Sequence, residues 1–573
     1  MSDTMAEAPP LNLETLLAAA MKLIGTDPQY AIGEADIRGN KYRIFQNAPA
    51  HLPALFAESA KHGEKDFIIF EGERLSFAET QKRVCRFAHA LQKELGVGKG
   101  DYVAIAMRNY PEWCVAYMAI ISLGAVVVPL NAWWKADELE YGLQDSGAKI
   151  VLVDAKRLDY LKPIREKMGL TLILVREAGE GADYAYDSLL AGSKDETTPQ
   201  VDIGPDDDFS IVYTSGSTGQ PKGVVLTHRG AVATLWSWWF VLNVLTEARG
   251  GISPIGDDPG ILLAVPLFHV TGSHSIFMLS LIIGRRMAMI YRWDPVDAAR
   301  IINEEKLTNF VGVPSQSYEL LENAGPDDMP TLIDIGSGGA KRPPDHVKKL
   351  KAKFAHANPS SGYGLSETNA AGCVISQEMY QERPDSTGRP LPPLTDIKIV
   401  KDGADVAKGD VGEIWIRSPA NFRCYHNLPD ETAKALTADG WFRTGDLGRM
   451  DEEDFVYVVD RIKDMIIRGG ENVSCIEVEN RAYEHAAVAE AAVFSVPDDK
   501  LGERVGLVVY AKKGAGVDPE ELRAFMSREL ANFKVPERIW VSPSALPRLG
   551  TAKFDKITIR KIALEHPPAL SVS

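Results

Sequence analysis

Cysteine is scarce and scattered. The 573-residue chain has five, Cys85, Cys114, Cys373, Cys424 and Cys475, with no CxxC pair and no Cys/His cluster. That spacing excludes a zinc ribbon and a disulfide framework and suits a reducing compartment, so the expected location is cytoplasmic. Positive charge is also short: 63 Lys and Arg stand against 79 Asp and Glu, a formal net charge of −16. This balance argues against nucleic acid and anionic membrane surfaces as partners. An apolar run of membrane-spanning quality is missing too. The nearest approach, residues 262–284, is broken by Pro266, His269 and His274. It reads as a buried strand, a turn and a core helix, so stable membrane insertion is not expected. The opening MSDTMAEAPP lacks the basic start and apolar stretch of a signal peptide, and the final Ser571-Val572-Ser573 is neither a lipidation nor a peroxisomal signal. No short-period repeat points to a solenoid.

The chain does have length enough for several domains, and an ordinary globular balance of 45% apolar and 25% charged residues. After an amphipathic stretch at 11–24, helical patterns alternate with short apolar strands at 102–106, 125–130, 149–153, 210–213, 260–265 and 309–313. Strands separated by helices of this length predict βαβ units in a largely parallel sheet. From about 385 the texture shifts to short β segments broken by turns, among them 396–400 and 412–417. A fresh α/β pattern starts near Asp460, with apolar segments at 491–496 and 504–510. The fold class expected is therefore α/β. A large N-terminal domain of stacked α/β sheets spans 1–459 and includes a small β module at about 385–459. It is hinged to a smaller α+β domain at 460–573.

An acidic chain that binds a nucleotide must gather cations locally, and one loop has the means. Tyr213-Thr214-Ser215-Gly216-Ser217-Thr218-Gly219-Gln220-Pro221-Lys222-Gly223 lies between an apolar strand and a second strand at 224–226. Small residues let the backbone approach phosphate, hydroxyls and N–H groups donate to it, and Lys222 adds a mobile charge. A P-loop proper would need GxxxxGK[ST], which is absent here. The bland alternative is a Ser/Gly linker, which the strand-loop-lysine setting disfavours.

This loop resembles the signature of the adenylate-forming superfamily, which includes acyl-coenzyme A synthetases, peptide-synthetase adenylation domains and firefly-type luciferases. The resemblance recurs in order over residues 50–560. Gly362-Tyr363-Gly364-Leu365-Ser366-Glu367-Thr368 is similar to the family's YGxTE motif. It implies Tyr363 against adenine, Ser366 at the α-phosphate and Glu367 on Mg2+ with Thr214. Magnesium favours hard carboxylate oxygens and takes few protein ligands. Gly338, Gly339 and Ala340 resemble the segment beside adenine and the acyl pocket. In Thr444-Gly445-Asp446, Asp446 would accept both ribose hydroxyls. The run from Asp460 to Asn472 resembles the interdomain hinge, with Arg461 at ribose or phosphate, Lys463 the pivot, and Gly469 and Gly470 beside the pantetheine passage. Read without that context, these stretches are a capped turn, a β-turn aspartate and a solvated charge run.

Pro547-Arg548-Leu549-Gly550-Thr551-Ala552-Lys553 resembles the segment with the adenylating lysine, Lys553, although Ala552 stands where glycine is usual; Lys556 is the fallback. In 265–272, His269 sits where the family borders the acyl pocket, as a group at the carboxylate or a gate for the thiol, with a core histidine as the alternative. His269 replaces the aspartate of amino-acid-activating members, and Ser273 the tryptophan of some long-chain ones. An apolar medium-chain or aryl-substituted acid is therefore expected, and Trp236, Trp238, Trp239 and Phe240 either line its pocket or pack the core.

The resemblance implies an ATP-dependent acyl-CoA synthetase using ATP, Mg2+ and coenzyme A. Its partners would be small molecules, and a homodimer is compatible with it. The C-terminal domain would rotate about Lys463 between the two steps. The rival readings are a free-standing adenylation enzyme that loads a carrier protein and an inactive acid-binding relative.

Overall fold

The computed structural model describes residues 11–177, 180–214, 220–325, 327–550 and 553–572. Among them the strands form sheets of eight, nine, five and six strands, with a two-stranded hairpin near the N-terminus. The eight-stranded sheet runs in the order Cys424–Tyr425, Lys222–Thr227, Asp208–Thr214, Val126–Pro129, Tyr102–Ala106, Ile150–Val153, Thr171–Leu174 and Tyr184–Ala185. From Asp208–Thr214 to the last of these, the pairings are parallel. The nine-stranded sheet has a parallel centre, in which Gly260–Leu263, Asn309–Gly312, Asp334–Ser337 and Asn358–Gly364 succeed one another.

Burial explains why the two textures were legible. The parallel strand Val126–Pro129 is buried at every position, as a strand covered on both faces must be. Gly412–Arg417, in the antiparallel five-stranded sheet, alternates buried and half-buried residues. The helix Pro111–Ser122 is buried on nearly all sides and packs on Tyr102–Ala106 and Val126–Pro129. Its apolar circumference has no solvent face to serve. Helix ends follow local chemistry: Ser76 accepts from the Glu79 N–H to start Phe77–Leu95, and Gly96 at φ 68° ends it. Residues 262–284 form a strand to Leu263, a turn, a π-helical stretch Thr271–Met278 and the helix Leu279–Ile283. No helix among the described residues is long and apolar enough to cross a membrane.

Two boundaries differ from expectation. The five-stranded module starts at Asp396, not 385, since Arg389–Pro390 pairs into the nine-stranded sheet. Cys424–Tyr425 likewise leaves the module to pair with Lys222–Thr227. Strand pairs this short have no periodicity to read, so their partner is chosen by tertiary contact. The module's last strand, Val456–Arg461, also runs past 459, and the six-stranded sheet begins at Ile466–Arg468. Lys463 is exposed in the tight connection between them, where the Asp464 and Met465 N–H groups donate to the Arg461 carbonyl at 3.0 and 3.1 Å.

Candidate active site

The site gathers where the carboxyl ends of parallel strands meet the small module, the usual crevice in open α/β sheets. Thr214 and Lys222 close the described part of the phosphate-loop hairpin as cross-strand partners; Ser215, Gly216, Ser217, Thr218 and Gly219 lie outside the described residues. The Lys222 ammonium donates to Glu431 Oε2 at 2.5 Å and stands 5.2 Å from the centre of the Tyr425 ring. The hydrogen bond from Lys222, helped by Lys434, holds the Glu431 carboxyl down at about 2.

Neighbouring strands of the nine-stranded sheet deliver two glycine segments. The Gly338 N–H donates to the Gly312 carbonyl at 3.1 Å, and Gly339 follows at φ 76°, a left-handed conformation suited to glycine. Ala340 is exposed beside it. Gly362, Tyr363 and Gly364 end the adjacent strand. A β-carbon at Gly364 would lie 2.3 Å from the Ala370 carbonyl oxygen, so no larger residue fits. Ser366 and Glu367 open the 3-10 turn that follows. Tyr425 donates its hydroxyl to Glu367 Oε1 at 2.9 Å, and burial raises the Glu367 carboxyl above its ordinary range.

Asp446 is aimed into this crevice by its strand. The register of Phe442–Met450 slips on both flanks, and Gly445 at φ 72° turns the backbone there. Such bulges re-aim side chains. The Asp446 carboxylate accepts from the Tyr363 hydroxyl at 2.7 Å and pairs with Arg461 Nε at 3.2 Å, its cross-strand neighbour. Burial and the Asp446 charge push the Tyr363 hydroxyl well up.

Lys553 reaches the same place from the far end of the chain. A β-carbon on Gly339 would stand 3.2 Å from Lys553 Cε and 3.7 Å from its Nζ. Burial, then the Arg461 guanidinium, pull the Lys553 ammonium down to about 8 against the opposing fields of Asp446 and Glu367. Burial, then the Lys553 charge, push the His269 imidazole down to about 3, so the ring is neutral near pH 7. Its Nε2 is buried with no hydrogen-bond partner among the described residues. Lys556, the fallback, is engaged elsewhere: it pairs with Glu479 at 2.6 Å. Gly469 and Gly470 form an exposed hairpin turn tied to the Leu501 carbonyl, and Lys463 is exposed.

The aromatic run divides by role. Trp236 and Phe240 are core residues, with Trp236 Nε1 donating to the Gln29 carbonyl at 3.1 Å and Trp239 edge-on to Trp236 and Tyr30. Trp238 alone of these is found at Gly362, where a β-carbon would come within 3.3 Å of its ring. Tyr425 and Glu431 went unforeseen. They are 58 and 209 residues in sequence from the groups they bind, so no spacing signal announces them.

The cluster combines two acids, Asp446 and Glu367, with three cations, Lys222, Arg461 and Lys553, around glycine-lined backbone. That suits a polyanion with a hydroxylated sugar. A hard divalent cation fits Glu367, whose carboxyl is raised by burial and would gain from a neighbouring positive charge. Among the described residues no group of three acidic, His or Cys side chains could hold a metal alone. One carboxylate plus substrate phosphates is the usual magnesium arrangement.

Comparison with known proteins agrees in extent. The family model for AMP-binding enzymes matches residues 55–426, and that for the AMP-binding enzyme C-terminal domain matches 477–553. The long-chain-fatty-acid–CoA ligase of Bacillus subtilis is 33% identical, over 88% of this chain and 93% of that one. A feruloyl-CoA synthase of Amycolatopsis is 32% identical over 88% and 96%. The structure of o-succinylbenzoate CoA synthetase from Bacillus subtilis, in complex with its acyl-adenylate intermediate, superposes with a TM-score of 0.76 at 28% identity, covering 90% of this chain and 99% of that chain.

Proposed function

Since this chain belongs to the AMP-binding enzymes and is an acid–thiol ligase of that family, we propose that it couples ATP to the thioesterification of an apolar carboxylic acid by coenzyme A. One observation carries this reading: Lys553, from the C-terminal region, lies on Gly339 and within the field of Arg461, Asp446 and Glu367.

In the first step a carboxylate oxygen of the acid attacks the α-phosphorus, the bond to the β-phosphate breaks, and pyrophosphate leaves with its electrons. Two anions must meet, so the protein's contribution is positioning and charge neutralisation. Asp446 holds the ribose hydroxyls, Tyr363 lies against adenine and Ser366 reaches the α-phosphate. Lys222 and the loop from Thr214 cradle the triphosphate, exchanging Glu431 for phosphate. Glu367 with Thr214 would hold Mg2+, which supplies further neutralisation of phosphate charge. Lys553 bridges the incoming carboxylate and the α-phosphate, with Arg461 beside it. The mixed anhydride is itself the activated intermediate, so no side-chain nucleophile is needed.

In the second step the thiol sulfur attacks the acyl carbonyl, the bond to the AMP oxygen breaks, AMP leaves and the thiol proton passes to solvent. Lys553 would obstruct that approach. The C-terminal domain therefore turns about Lys463, withdrawing Lys553 and bringing Gly469 and Gly470 to the pantetheine path. Neutral His269, with an open Nε2, serves the carboxylate or gates the thiol. Trp238 against Gly362 supports a medium-chain or aryl acid, since a flat wall there limits length.

A pyrophosphate-release screen over fatty and aryl acids, with and without coenzyme A, tests this. Acid-dependent turnover that requires coenzyme A is expected. Acid-dependent release that coenzyme A does not stimulate would favour a carrier-loading enzyme, and no pyrophosphate with any acid would overturn the proposal.

A further inference from the structure

Lys553 is carried on a narrow hairpin. Arg548 bridges Phe554, the Leu549 N–H donates to the Lys553 carbonyl at 2.8 Å, and the Asp555 N–H donates to that of Pro547 at 2.9 Å. Gly550, directly after Leu549, meets Trp133 of the N-terminal region: a β-carbon there would fall 2.1 Å from the indole Cδ1 and 2.7 Å from Trp133 Cβ. Gly550 is not at positive φ, so the close approach, not backbone freedom, is what demands glycine.

Trp133 is built to receive that contact. The Arg108 guanidinium stacks 3.4 Å from the indole centre and lies 4.9 Å from the Tyr291 ring. Arg108 is buried, and its N–H donates to Asp154 at 3.2 Å. Asp154 also pairs with buried Arg157, which donates to the Ala132 carbonyl directly before Trp133. The next residue, Trp134, is buried edge-on to Tyr213, directly before Thr214. Trp133 nevertheless remains 49% exposed. A core residue would be covered, whereas a reversible contact between parts that must separate has to be small. A second contact steadies the same hairpin: Arg548 reaches Glu319 at 3.3 Å, whose other oxygen accepts from Trp293 Nε1 at 2.5 Å.

We propose that Trp133 is the docking post that seats the Lys553 hairpin for adenylation, a positioning residue that acts through Lys553 and has no part in the thioester step. It rests on the reading of Lys553 as the adenylating lysine. The experiment has two arms. In the full chain, Trp133→Cys combined with Gly550→Cys is oxidised mildly and mapped by mass spectrometry; a crosslink joining 133 to 550 is expected, and its absence in the folded chain overturns the contact. This arm does not depend on activity. In the second arm, Trp133→Ala and Trp133→Phe are assayed for acid-dependent ATP–pyrophosphate exchange and for thioester formation from supplied acyl-adenylate. Trp133→Ala should lower the exchange kcat by about ten- to a hundredfold, the scale of a small misplacement of a catalytic group. Thioester formation should stay at the wild-type rate, and Trp133→Phe should recover most of the exchange. Unchanged exchange, or equal loss in both steps, overturns the proposal. A wild-type chain without exchange on any acid would instead remove the functional reading, leaving the crosslink to decide the contact.

Discussion

Lys553 lies over Gly339, and the two residues are 214 positions apart in the chain. The glycine leaves the space that the lysine stem fills. Cation and backbone thereby share one crevice with Asp446 and Glu367, and the first two predictions follow from that contact.

Lys553→Ala should cut acid-dependent pyrophosphate exchange by about two to three orders of magnitude, as loss of one positioned charge-stabilising group does. Thioester formation from supplied acyl-adenylate should persist. Gly339→Val should reproduce the defect with Lys553 intact, because its side chain occupies the lysine's place and φ 76° strains any β-branched residue. Exchange at the wild-type rate in either variant would disprove the assignment.

The Lys553 ammonium, held at about 8, should govern the alkaline limb of adenylation. The protonated form is the active one, so kcat/KM for exchange should fall as pH rises through about 8, far below the range of an ordinary lysine. Bound triphosphate adds negative charge, which raises the group, so the fall in kcat should appear at higher pH. Lys553→Arg stays charged and should lose this alkaline fall, whatever its absolute rate. pH–rate profiles of both enzymes check the point.

The two neighbouring lysines should part company in stability. Lys556→Met strands the largely covered Glu479 carboxylate, whose pKa burial already raises, and should cost up to about 3 kcal/mol in urea unfolding at pH 7. Lys553→Met removes an ammonium that burial disfavours and should cost less than Lys556→Met. Comparable destabilisation by both would contradict the roles given to them.

Tyr363→Phe removes the 2.7 Å hydrogen bond to Asp446 and keeps the ring. A net worth of about 1 kcal/mol predicts roughly a fivefold rise in KM for ATP, with KM for the acid unchanged. Asp446→Asn removes the charge that Arg461 pairs with, and should raise KM for ATP further. Titration of initial rates against ATP and against the acid separates these effects.

Much of this molecule was readable from local chemistry. Runs such as Val126–Pro129 show two-sided burial by being apolar throughout, and Gly412–Arg417 shows one-sided burial by alternating. The glycine-rich segments announced close backbone approach, which Gly364 and Gly339 display. What spacing could not reveal were meetings across the chain: Tyr425 with Glu367, Lys222 with Glu431, Gly550 with Trp133. The split of the tryptophan run was equally hidden, because Trp238 and Trp239 differ only in the face of the helix they occupy.

The sequence by itself determined the strands, the caps, the glycine turns and the set of charged groups, since each depends on the few residues beside it. Only the tertiary structure decided which of two lysines three positions apart enters the site. Lys556 finds a largely covered acid, Glu479, in its own domain, whereas the hairpin geometry carries Lys553 across to Gly339. Burial and opposing charges set the proton affinity of Lys553 there, and those arise only when distant segments exclude water together.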